Sequence, residues 1–295
     1  MTTKCGFIAV LGAPNAGKST LINYLVGSKV SIVSPKVQTT RQRVLGIALY
    51  EETQLIFVDT PGIFQPKRRL ERAMVDAAWS ASSESDLVVV VVDVNDHRLS
   101  QSHDLLAKLK DRPVILVLNK VDQIKKEHLL KVADTFKSYS QISDVFMISA
   151  LTGSGVDRLI EKLVSQVSEG PWLYPEDQLT DLPQRLWAAE ITREQLYLQL
   201  HHELPYETMV ETEVWEEFDN GSVKISQVIY VNRDSQKSIL LGKRGHQIKS
   251  LSMTARQELM HQLGRTVHLY LYVKVVENWL EKPALYRLMG LEFNV

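Results

Sequence analysis

The 295-residue sequence is short of cysteine, since Cys5 is the only one. One cysteine can form no disulfide within the chain, and it excludes a metal site built from clustered cysteines. We expect Cys5 to pack as a small apolar residue near the first strand. No apolar run approaches the ~20 residues that a membrane-spanning helix needs, and residues 1–10 lack the features of a secretory signal. These absences favour a protein of the reducing cytosol.

An excess of charge of one sign is also lacking, because the formal net charge is only −1. The charges are nevertheless unevenly distributed. Residues 185–220 hold two basic and nine acidic side chains, whereas residues 224–274 hold nine basic and two acidic ones, a net charge of +7. A nearly neutral chain with one basic block indicates a local site for a polyanion.

Apolar strand patterns alternate with helical patterns over the first 165 residues, which predicts an α/β domain with a mostly parallel sheet and helices on both faces. The strand patterns are FIAVLG, LIFVDTPG, LVVVVVDV, VILVLNK and VFMISA. A proline-containing stretch then interrupts the periodicity. The following pattern reads α-β-β-α-α-β, with a hairpin turn at Asp219–Gly221. We predict an α/β domain at 1–170, a linker at 171–184 and an α+β domain at 185–295.

The sequence GAPNAGKS at residues 12–19 matches the phosphate-binding loop pattern G-x-x-x-x-G-K-[ST], and it lies between a predicted strand and a predicted helix. Its glycines allow backbone N–H groups to surround phosphates, and the helix N-terminus adds partial positive charge. Lys18 is expected to reach the β- and γ-phosphates, and the Ser19 hydroxyl is expected to ligate Mg²⁺. The segment therefore predicts a nucleoside triphosphate site.

Two further motifs follow strands in the same domain. DTPG at 59–62 predicts that Asp59 holds Mg²⁺ through water and that the Gly62 N–H contacts the γ-phosphate. NKVD at 119–122 predicts guanine specificity, because the Asp122 carboxylate can accept from N1–H and the 2-amino group, donors that adenine lacks. Asn119 is expected to brace the loops, and the Lys120 stem to lie on the base.

The predicted nucleotide-binding set combines these motifs with SA at 149–150, whose backbone N–H groups are expected to meet guanine O6. It comprises Gly12, Ala13, Pro14, Asn15, Ala16, Gly17, Lys18, Ser19, Thr20, Asp59, Thr60, Pro61, Gly62, Ile63, Asn119, Lys120, Val121, Asp122, Ser149 and Ala150.

The order and spacing of these motifs resemble the translation-factor-related GTPases, and most closely the Era family. The segment VQTTRQR at 37–43 is similar to the Era and MnmE type of effector loop. This resemblance implies that Thr40, or its neighbour Thr39, ligates Mg²⁺ in the GTP state. Lys18, Thr40 and Gly62 are the predicted catalytic residues, and Ser19, Thr40 and Asp59 the predicted Mg²⁺ ligands. Asn15 resembles a potassium ligand, so K⁺ joins GTP, GDP and Mg²⁺ among the predicted cofactors.

Ile63 follows the DTPG glycine, where Ras-like GTPases have a glutamine that orients water. An aliphatic side chain cannot polarise water, so slow intrinsic hydrolysis is expected. Catalysis is then expected to depend on Mg²⁺, Lys18 and the positioning of backbone groups.

The sequence GKRG at 242–245 lies between an apolar segment and a helical pattern in the basic block, which is typical of a KH domain. Its glycines allow close approach of an RNA backbone, and the next helix N-terminus can meet a phosphate. The element order resembles the type II KH fold. The predicted RNA-binding residues are Lys237, Ile239, Leu240, Leu241, Gly242, Lys243, Arg244, Gly245, His246, Ile248 and Lys249.

The Era resemblance extends over essentially the whole chain. It implies a monomeric cytoplasmic GTPase that binds the 3′ end of small-subunit (16S) ribosomal RNA, acts in 30S subunit assembly, and changes its RNA and ribosome binding with nucleotide state. It also implies peripheral association with the inner face of the cell membrane. Two alternatives stay open from the residues: a GTPase that acts mainly at anionic lipid, and an enzyme that modifies RNA.

Overall fold

The computed structural model describes residues 2–96 and 99–293, which divide into two compact units. Unit 1 comprises residues 1–31, 40–181 and 289–295, and unit 2 comprises residues 32–39 and 182–288. The division differs from the predicted one in three respects. Residues 32–39, in the middle of the predicted α/β domain, belong with unit 2. Residues 289–293, which the prediction placed in the second domain, belong with unit 1, and the predicted linker belongs with unit 1 as far as Asp181.

Unit 1 contains a six-stranded sheet. Its strands are β1 (Lys4–Gly12), β2 (Val44–Tyr50), β3 (Thr53–Asp59), β4 (Leu87–Asp93), β5 (Val114–Asn119) and β6 (Ile142–Ile148). They lie in the order β2-β3-β1-β4-β5-β6, and every neighbouring pair is parallel except β2 and β3. The predicted mostly parallel sheet is confirmed, and the carboxyl ends of β1, β3 and β5 place the three nucleotide motifs at one edge.

Helices cover both faces of this sheet, as predicted. They are α1 (Lys18–Val26), α2 (Arg69–Glu84), α3 (Ser100–Lys108), α4 (Lys126–Asp134) and α5 (Val156–Gln166). Side chains of β1 alternate between two cores: Ile8 and Val10 pack with α1 and α5, and Ala9 and Leu11 pack in the opposite core with α3 and α4. Because both faces are buried, the strands read as continuous apolar runs rather than as alternating ones.

Strand β2 has no counterpart in the predicted element list, and the predicted linker runs along it. The Ile47 N–H donates to the Leu179 carbonyl at 2.8 Å, and the Leu45 N–H donates to the Asp181 carboxylate at 3.0 Å. The Gln54 side chain also bonds the backbone of Tyr174. A proline-containing stretch predicted as a linker is therefore fastened to the sheet and covers part of its antiparallel edge.

Unit 2 has the predicted α-β-β-α-α-β order. Its elements are α6 (Gln184–Gln199), β7 (Met209–Glu217), β8 (Val223–Val231), α7 (Asp234–Leu241), α8 (His246–Leu263), β9 (Val267–Val275) and a short α9 (Pro283–Leu288). The sheet order is β7-β8-β9, with β7 antiparallel and β9 parallel to the central strand. Apolar side chains of α6, α7 and α8 pack together with those of the sheet.

No helix in the described ranges is both long enough and apolar enough to cross a lipid bilayer.

A candidate nucleotide site and a candidate RNA interface

The phosphate loop joins β1 to α1 in a conformation that requires glycine. Gly12 and Gly17 have φ values of 155° and 95°, and a Cβ at Gly17 would lie 2.2 Å from the Asn119 amide nitrogen. Gly17 stands directly before the first residue of α1, so the N-terminal amides of that helix face the loop. Within the same loop, Asn15 is exposed and has a φ of 62°.

The remaining predicted loop residues Ala13, Pro14, Ala16 and Thr20 lie in the same turn or at the start of α1.

The Lys18 side chain is buried beneath this loop. Its ammonium donates to the carbonyls of Gly12 at 3.2 Å and Ala13 at 3.1 Å. Burial lowers the pKa of Lys18 to about 8, and the nearby Asp59 carboxylate opposes the shift. The protein alone does not fully offset the cost of burying the charged ammonium. A phosphate beside it would favour the charged form, so the lysine is placed to bind an anion.

Three predicted metal ligands converge at the end of the loop. The Ser19 hydroxyl lies 2.7 Å from Asp59 Oδ2 and 3.0 Å from the Thr40 hydroxyl, which is itself 3.4 Å from Asp59 Oδ2. The other oxygen, Asp59 Oδ1, is buried and has no hydrogen-bond partner among the described residues. Burial raises the pKa of Asp59, while Ser19 and Lys18 act in the opposite direction.

This oxygen set fits Mg²⁺, which is commonly held by one or two protein carboxylates together with substrate phosphates. A divalent ion would satisfy the orphaned Asp59 oxygen and offset the cost of burying the carboxylate. Across the described part of the chain, no group of three His, Cys, Asp or Glu side chains could hold a metal by itself. The geometry thus favours an ion that needs phosphate oxygens to complete its ligands.

The structure distinguishes between the two threonines of the effector loop. The Thr39 hydroxyl lies 2.6 Å from the Ser34 hydroxyl and donates to the Lys36 carbonyl at 2.9 Å. The Thr40 hydroxyl instead joins Ser19 and Asp59. Thr40 is therefore the threonine placed to contact a metal.

The DTPG turn lies against the phosphate loop. A Cβ on Gly62 would approach Pro14 backbone and ring atoms within 2.8–2.9 Å, and the Ile63 N–H donates to the Gly12 carbonyl at 3.1 Å. The Thr60 hydroxyl donates to the Val10 carbonyl at 2.8 Å, and Pro61 continues the turn. The Ile63 side chain is only 8% exposed and packs in the apolar core, so it offers no polar group at the site.

Asn119 braces the loops of the predicted base site. Its amide donates to the Ala16 carbonyl at 2.8 Å, and its Oδ1 accepts from the N–H groups of Lys120 at 2.8 Å and Ala150 at 2.9 Å. Lys120 has a φ of 71°, and its ammonium lies 2.6 Å from the Asp93 carboxylate. The ion pair holds the lysine stem beside the NKVD turn.

The predicted recognition carboxylate, Asp122, is exposed on the short 3₁₀ turn Val121–Gln123, where it can reach a ligand.

The expectation for Ser149 and Ala150 needs correction. The Ser149 N–H donates to the Ser154 carbonyl at 2.9 Å, and the Ala150 N–H donates to Asn119. Neither amide is therefore free to donate to guanine O6 in this arrangement. Both residues are buried and shape the loop behind the base site, a role that the two-letter motif could not show.

The GKRG segment forms a tight turn between α7 and α8. Gly242, Arg244 and Gly245 have φ values of 70°, 53° and 76°, and a Cβ on Gly242 would lie 2.6 Å from Gln247 Cβ. Lys243 and Arg244 are exposed at its tip, directly before the N-terminus of α8. Two cations and a helix N-terminus at one turn form a suitable binding place for a backbone phosphate.

The predicted apolar floor beside this turn requires one correction. Leu240 is fully buried in the core of unit 2, so it cannot contact a base. Ile239 is 60% exposed and stays available, whereas Leu241 and Ile248 are half-buried. Helical spacing explains the difference, because adjacent residues on α7 face different directions.

The other predicted RNA-binding residues are Lys237 on α7 and His246 and Lys249 on α8.

A cavity of about 460 Å³ lies beside the same turn within unit 2. Its lining includes Arg233, Ile239, Gln247, His201 and His202. Of these, only Ile239 belongs to the predicted set. No local sequence pattern marks the others, because they come from three segments that only the fold brings together.

The fold and site define a P-loop GTPase unit joined to a KH unit. A family model described as "50S ribosome-binding GTPase" matches residues 7–120, and one described as "KH domain" matches residues 203–280. Among curated proteins, GTPase Era of Sinorhizobium medicae is 55% identical over 99% of this chain and 94% of its own. GTPase Era of Caulobacter vibrioides is 52% identical over 99% of this chain and 98% of its own.

Two solved structures are similar over almost the full length. One is Era in complex with MgGDPNP and nucleotides 1506–1542 of 16S ribosomal RNA, with a TM-score of 0.92, 39% identity, and coverage of 98% of this chain and 99% of that chain. The other is an Aquifex aeolicus Era variant bound to GDP and aluminium fluoride, with the same TM-score, identity and coverage. The chain belongs to the Era family of GTPases.

Proposed function

We propose that this chain binds GTP with Mg²⁺, hydrolyses it to GDP and phosphate, and binds the 3′ region of small-subunit ribosomal RNA through unit 2 during 30S subunit assembly. One observation carries the proposal. The chain shares its fold, at a TM-score of 0.92 over 98% of its length, with a protein crystallised with MgGDPNP and nucleotides 1506–1542 of 16S ribosomal RNA.

The residues at the phosphate loop supply binding and charge stabilisation. Lys18 is placed to neutralise charge on the β- and γ-phosphates, and Ser19, Thr40 and Asp59 would hold Mg²⁺, with Asp59 acting through water. The metal, when bound, would stabilise charge that develops on the phosphate oxygens. The Gly62 N–H is the proposed donor to the γ-phosphate.

Because Ile63 is buried and apolar, it cannot orient the attacking water. The proposed intrinsic rate is therefore slow, with catalysis from electrostatics and positioning. Asn15 is a proposed ligand for K⁺ beside the phosphates. A comparison of the hydrolysis rates in KCl and NaCl tests this point, because equal rates would show that K⁺ does not contribute to hydrolysis.

The RNA-binding role depends on the exposed GKRG turn and the cations of unit 2. Glu216 and Glu217 pair with Lys224 and Arg265 on the sheet, at 3.0 and 2.9 Å. Both pairs are at least partly exposed, so they contribute little stability. The cations of the GKRG turn lie in a different part of unit 2 and are exposed, so they are the proposed phosphate contacts.

We further propose that nucleotide state changes RNA and ribosome binding. Helix α6 supports this idea, because it contacts residues 32–39, which include the start of the effector loop at 37–43, and also packs against the helices that flank the GKRG turn. The Gln199 amide, for example, donates to the Thr254 hydroxyl of α8 at 2.6 Å. A helix with both sets of contacts could respond to either ligand.

Crosslinking with sequencing of the bound RNA, performed with a GTP analogue and with GDP, tests the proposal directly. Reads should concentrate at the 3′ end of small-subunit ribosomal RNA and should differ between the two nucleotide states. Reads spread evenly over cellular RNA would contradict the proposed partner. In parallel, GTP hydrolysis should require Mg²⁺, and phosphate release that persists in excess EDTA would contradict the proposed chemistry.

We propose that the chain acts in the cytoplasm, where small-subunit ribosomal RNA is found, and that it acts as a monomer. Peripheral membrane association is a separate proposal that flotation with anionic liposomes tests, because a protein that stays at the bottom of the gradient does not bind lipid.

A further inference from the structure

Helix α6 of unit 2 holds residues 32–39 by hydrogen bonds to both backbone and side chains. The Glu194 carboxylate accepts from the Val33 N–H at 2.8 Å. The Lys36 ammonium donates to the carbonyls of Tyr197 and Leu200 near the end of the helix, at 2.6 Å for the latter. Residues 32–39 are thus anchored to the helix near the start of the segment and in its middle.

Arg193 is the central anchor. It is only 2% exposed, and its Nη2 donates to the Thr39 carbonyl at 2.6 Å. Its Nε donates to the Glu190 carboxylate at 2.8 Å, and its guanidinium carbon lies 5.3 Å from the Tyr197 ring centre. These contacts fix the guanidinium plane from three sides.

The buried Arg193 is better explained by the group that it positions than by a contribution to the stability of the fold. Arg193 Nη1 is buried without a hydrogen-bond partner among the described residues, which carries a desolvation cost. Buried ion pairs usually stabilise a fold no more than apolar side chains of the same size would. The guanidinium is therefore expected to serve chiefly in fixing the position of the Thr39 carbonyl.

The position of that carbonyl determines the geometry of the next residue. Because a peptide bond is planar, fixing the Thr39 carbonyl also fixes the plane that contains the Thr40 nitrogen and Cα. The Thr40 hydroxyl lies 3.0 Å from Ser19 Oγ and 3.4 Å from Asp59 Oδ2. One peptide bond therefore separates the anchored carbonyl from a residue of the candidate metal site.

We infer that Arg193, together with Lys36, is a positioning residue for GTP hydrolysis, and that it acts by orienting Thr40 toward the Mg²⁺ and γ-phosphate site. This inference rests on the proposed function. It predicts a specific kinetic pattern, since GDP has no γ-phosphate and should not depend on Thr40.

The test compares Arg193→Gln with Arg193→Lys, Lys36→Met and the surface control Arg185→Gln on the same helix. Arg193→Gln should lower kcat for GTP on the order of tenfold, the effect of losing one charge-assisted hydrogen bond. It should also raise the Mg²⁺ concentration for half-maximal rate, while the KM for GTP and the affinity for GDP change less than about twofold. Arg185 is exposed, so its variant should match the wild type.

The two other variants separate positioning from folding. Arg193→Lys retains the charge but lacks the Nε–H donor to Glu190 and the planar guanidinium, so an intermediate kcat is expected. Lys36→Met releases the same segment and leaves the Arg193–Glu190 pair intact, and it should lower kcat about threefold. A folded Arg193→Gln protein with the kcat and Mg²⁺ requirement of Arg185→Gln would overturn the inference. If Arg193→Gln does not fold, a wild-type kcat for Lys36→Met would overturn it instead.

Failure of the proposed function would look different, because the wild-type protein itself would then show no Mg²⁺-dependent hydrolysis. Hydrogen exchange of the amides at 36–40 still tests the anchor in that case. Faster exchange in Lys36→Met and Arg193→Gln than in Arg185→Gln would support the anchor, and equal exchange would refute it.

Discussion

Replacing Asn119 with alanine should loosen three loops of the nucleotide site at once. The side chain is 2% exposed and makes three hydrogen bonds, to Ala16, Lys120 and Ala150, at 2.8–2.9 Å. At about 1 kcal/mol net for each bond, the substitution should lower the free energy of unfolding of unit 1 by about 3 kcal/mol. For a domain of this size the melting temperature should fall by roughly 6–12 °C.

Differential scanning calorimetry with and without GDP measures this effect, because the transition that GDP raises belongs to the nucleotide-binding unit. Affinity for GDP should fall as well, since the phosphate loop and the base loop both lose a brace. The matched control is Asn95→Ala, which removes one exposed hydrogen bond to Gln123. If the melting temperature of Asn119→Ala lies within about 2 °C of that of the control, the three hydrogen bonds do not hold the loops together.

Three further substitutions test separate parts of the molecule. Asp122→Asn should shift preference from GTP toward xanthosine triphosphate, because the amide can donate to the 2-oxo group of xanthine but cannot accept from both guanine donors; competition binding measures the ratio. The double variant Gly242→Asp with Gly245→Asp should weaken RNA binding about tenfold or more in a filter-binding assay, because the new carboxylates repel the RNA phosphates. GTP hydrolysis without RNA, measured by phosphate release, should persist. Gly62→Ala should slow GTP turnover more than it weakens GDP binding, because the new Cβ would lie 2.8–2.9 Å from Pro14 and displace the turn.

Glycines with open surroundings provide the controls for these variants. A Cβ at Gly170 meets no atom within 4 Å, so Gly170→Ala should leave turnover unchanged. Gly221 lies in the hairpin turn of unit 2 and is equally open, so Gly221→Asp adds the charge away from the GKRG turn. Unchanged nucleotide preference in Asp122→Asn would contradict its role in base recognition. If the double glycine variant binds RNA as well as Gly221→Asp does, the GKRG turn does not contact the RNA. If Gly62→Ala turns over GTP as fast as Gly170→Ala, the position of the DTPG turn does not matter for hydrolysis.

Local sequence was enough to predict most elements, because their signals are short-range. The apolar runs that became β1, β4 and β5 are buried on both faces, so they are recognisable without knowing their neighbours. The helix from His246 to Leu263 begins directly after GKRG, where the sequence predicts a helical pattern. By contrast, the attachment of the predicted linker to the sheet was missed, because the hydrogen bond between Ile47 and Leu179 joins residues far apart in the chain. Strand β2 was also missed, although it pairs with its neighbour in sequence, β3.

The sequence by itself determined which chemical groups are available. The phosphate loop, DTPG, NKVD and GKRG are each recognisable within four to eight consecutive residues, because each needs particular side chains and a particular backbone conformation. The tertiary structure decided which of these groups meet. It places Thr40 rather than Thr39 beside Ser19, and it brings Arg193 to the Thr39 carbonyl. It also gives the Ser149 and Ala150 amides other hydrogen-bond partners and buries the Leu240 side chain, so these groups do not make the expected contacts. Hydrogen bonds between distant segments depend on how the elements pack, and no local pattern carries that information.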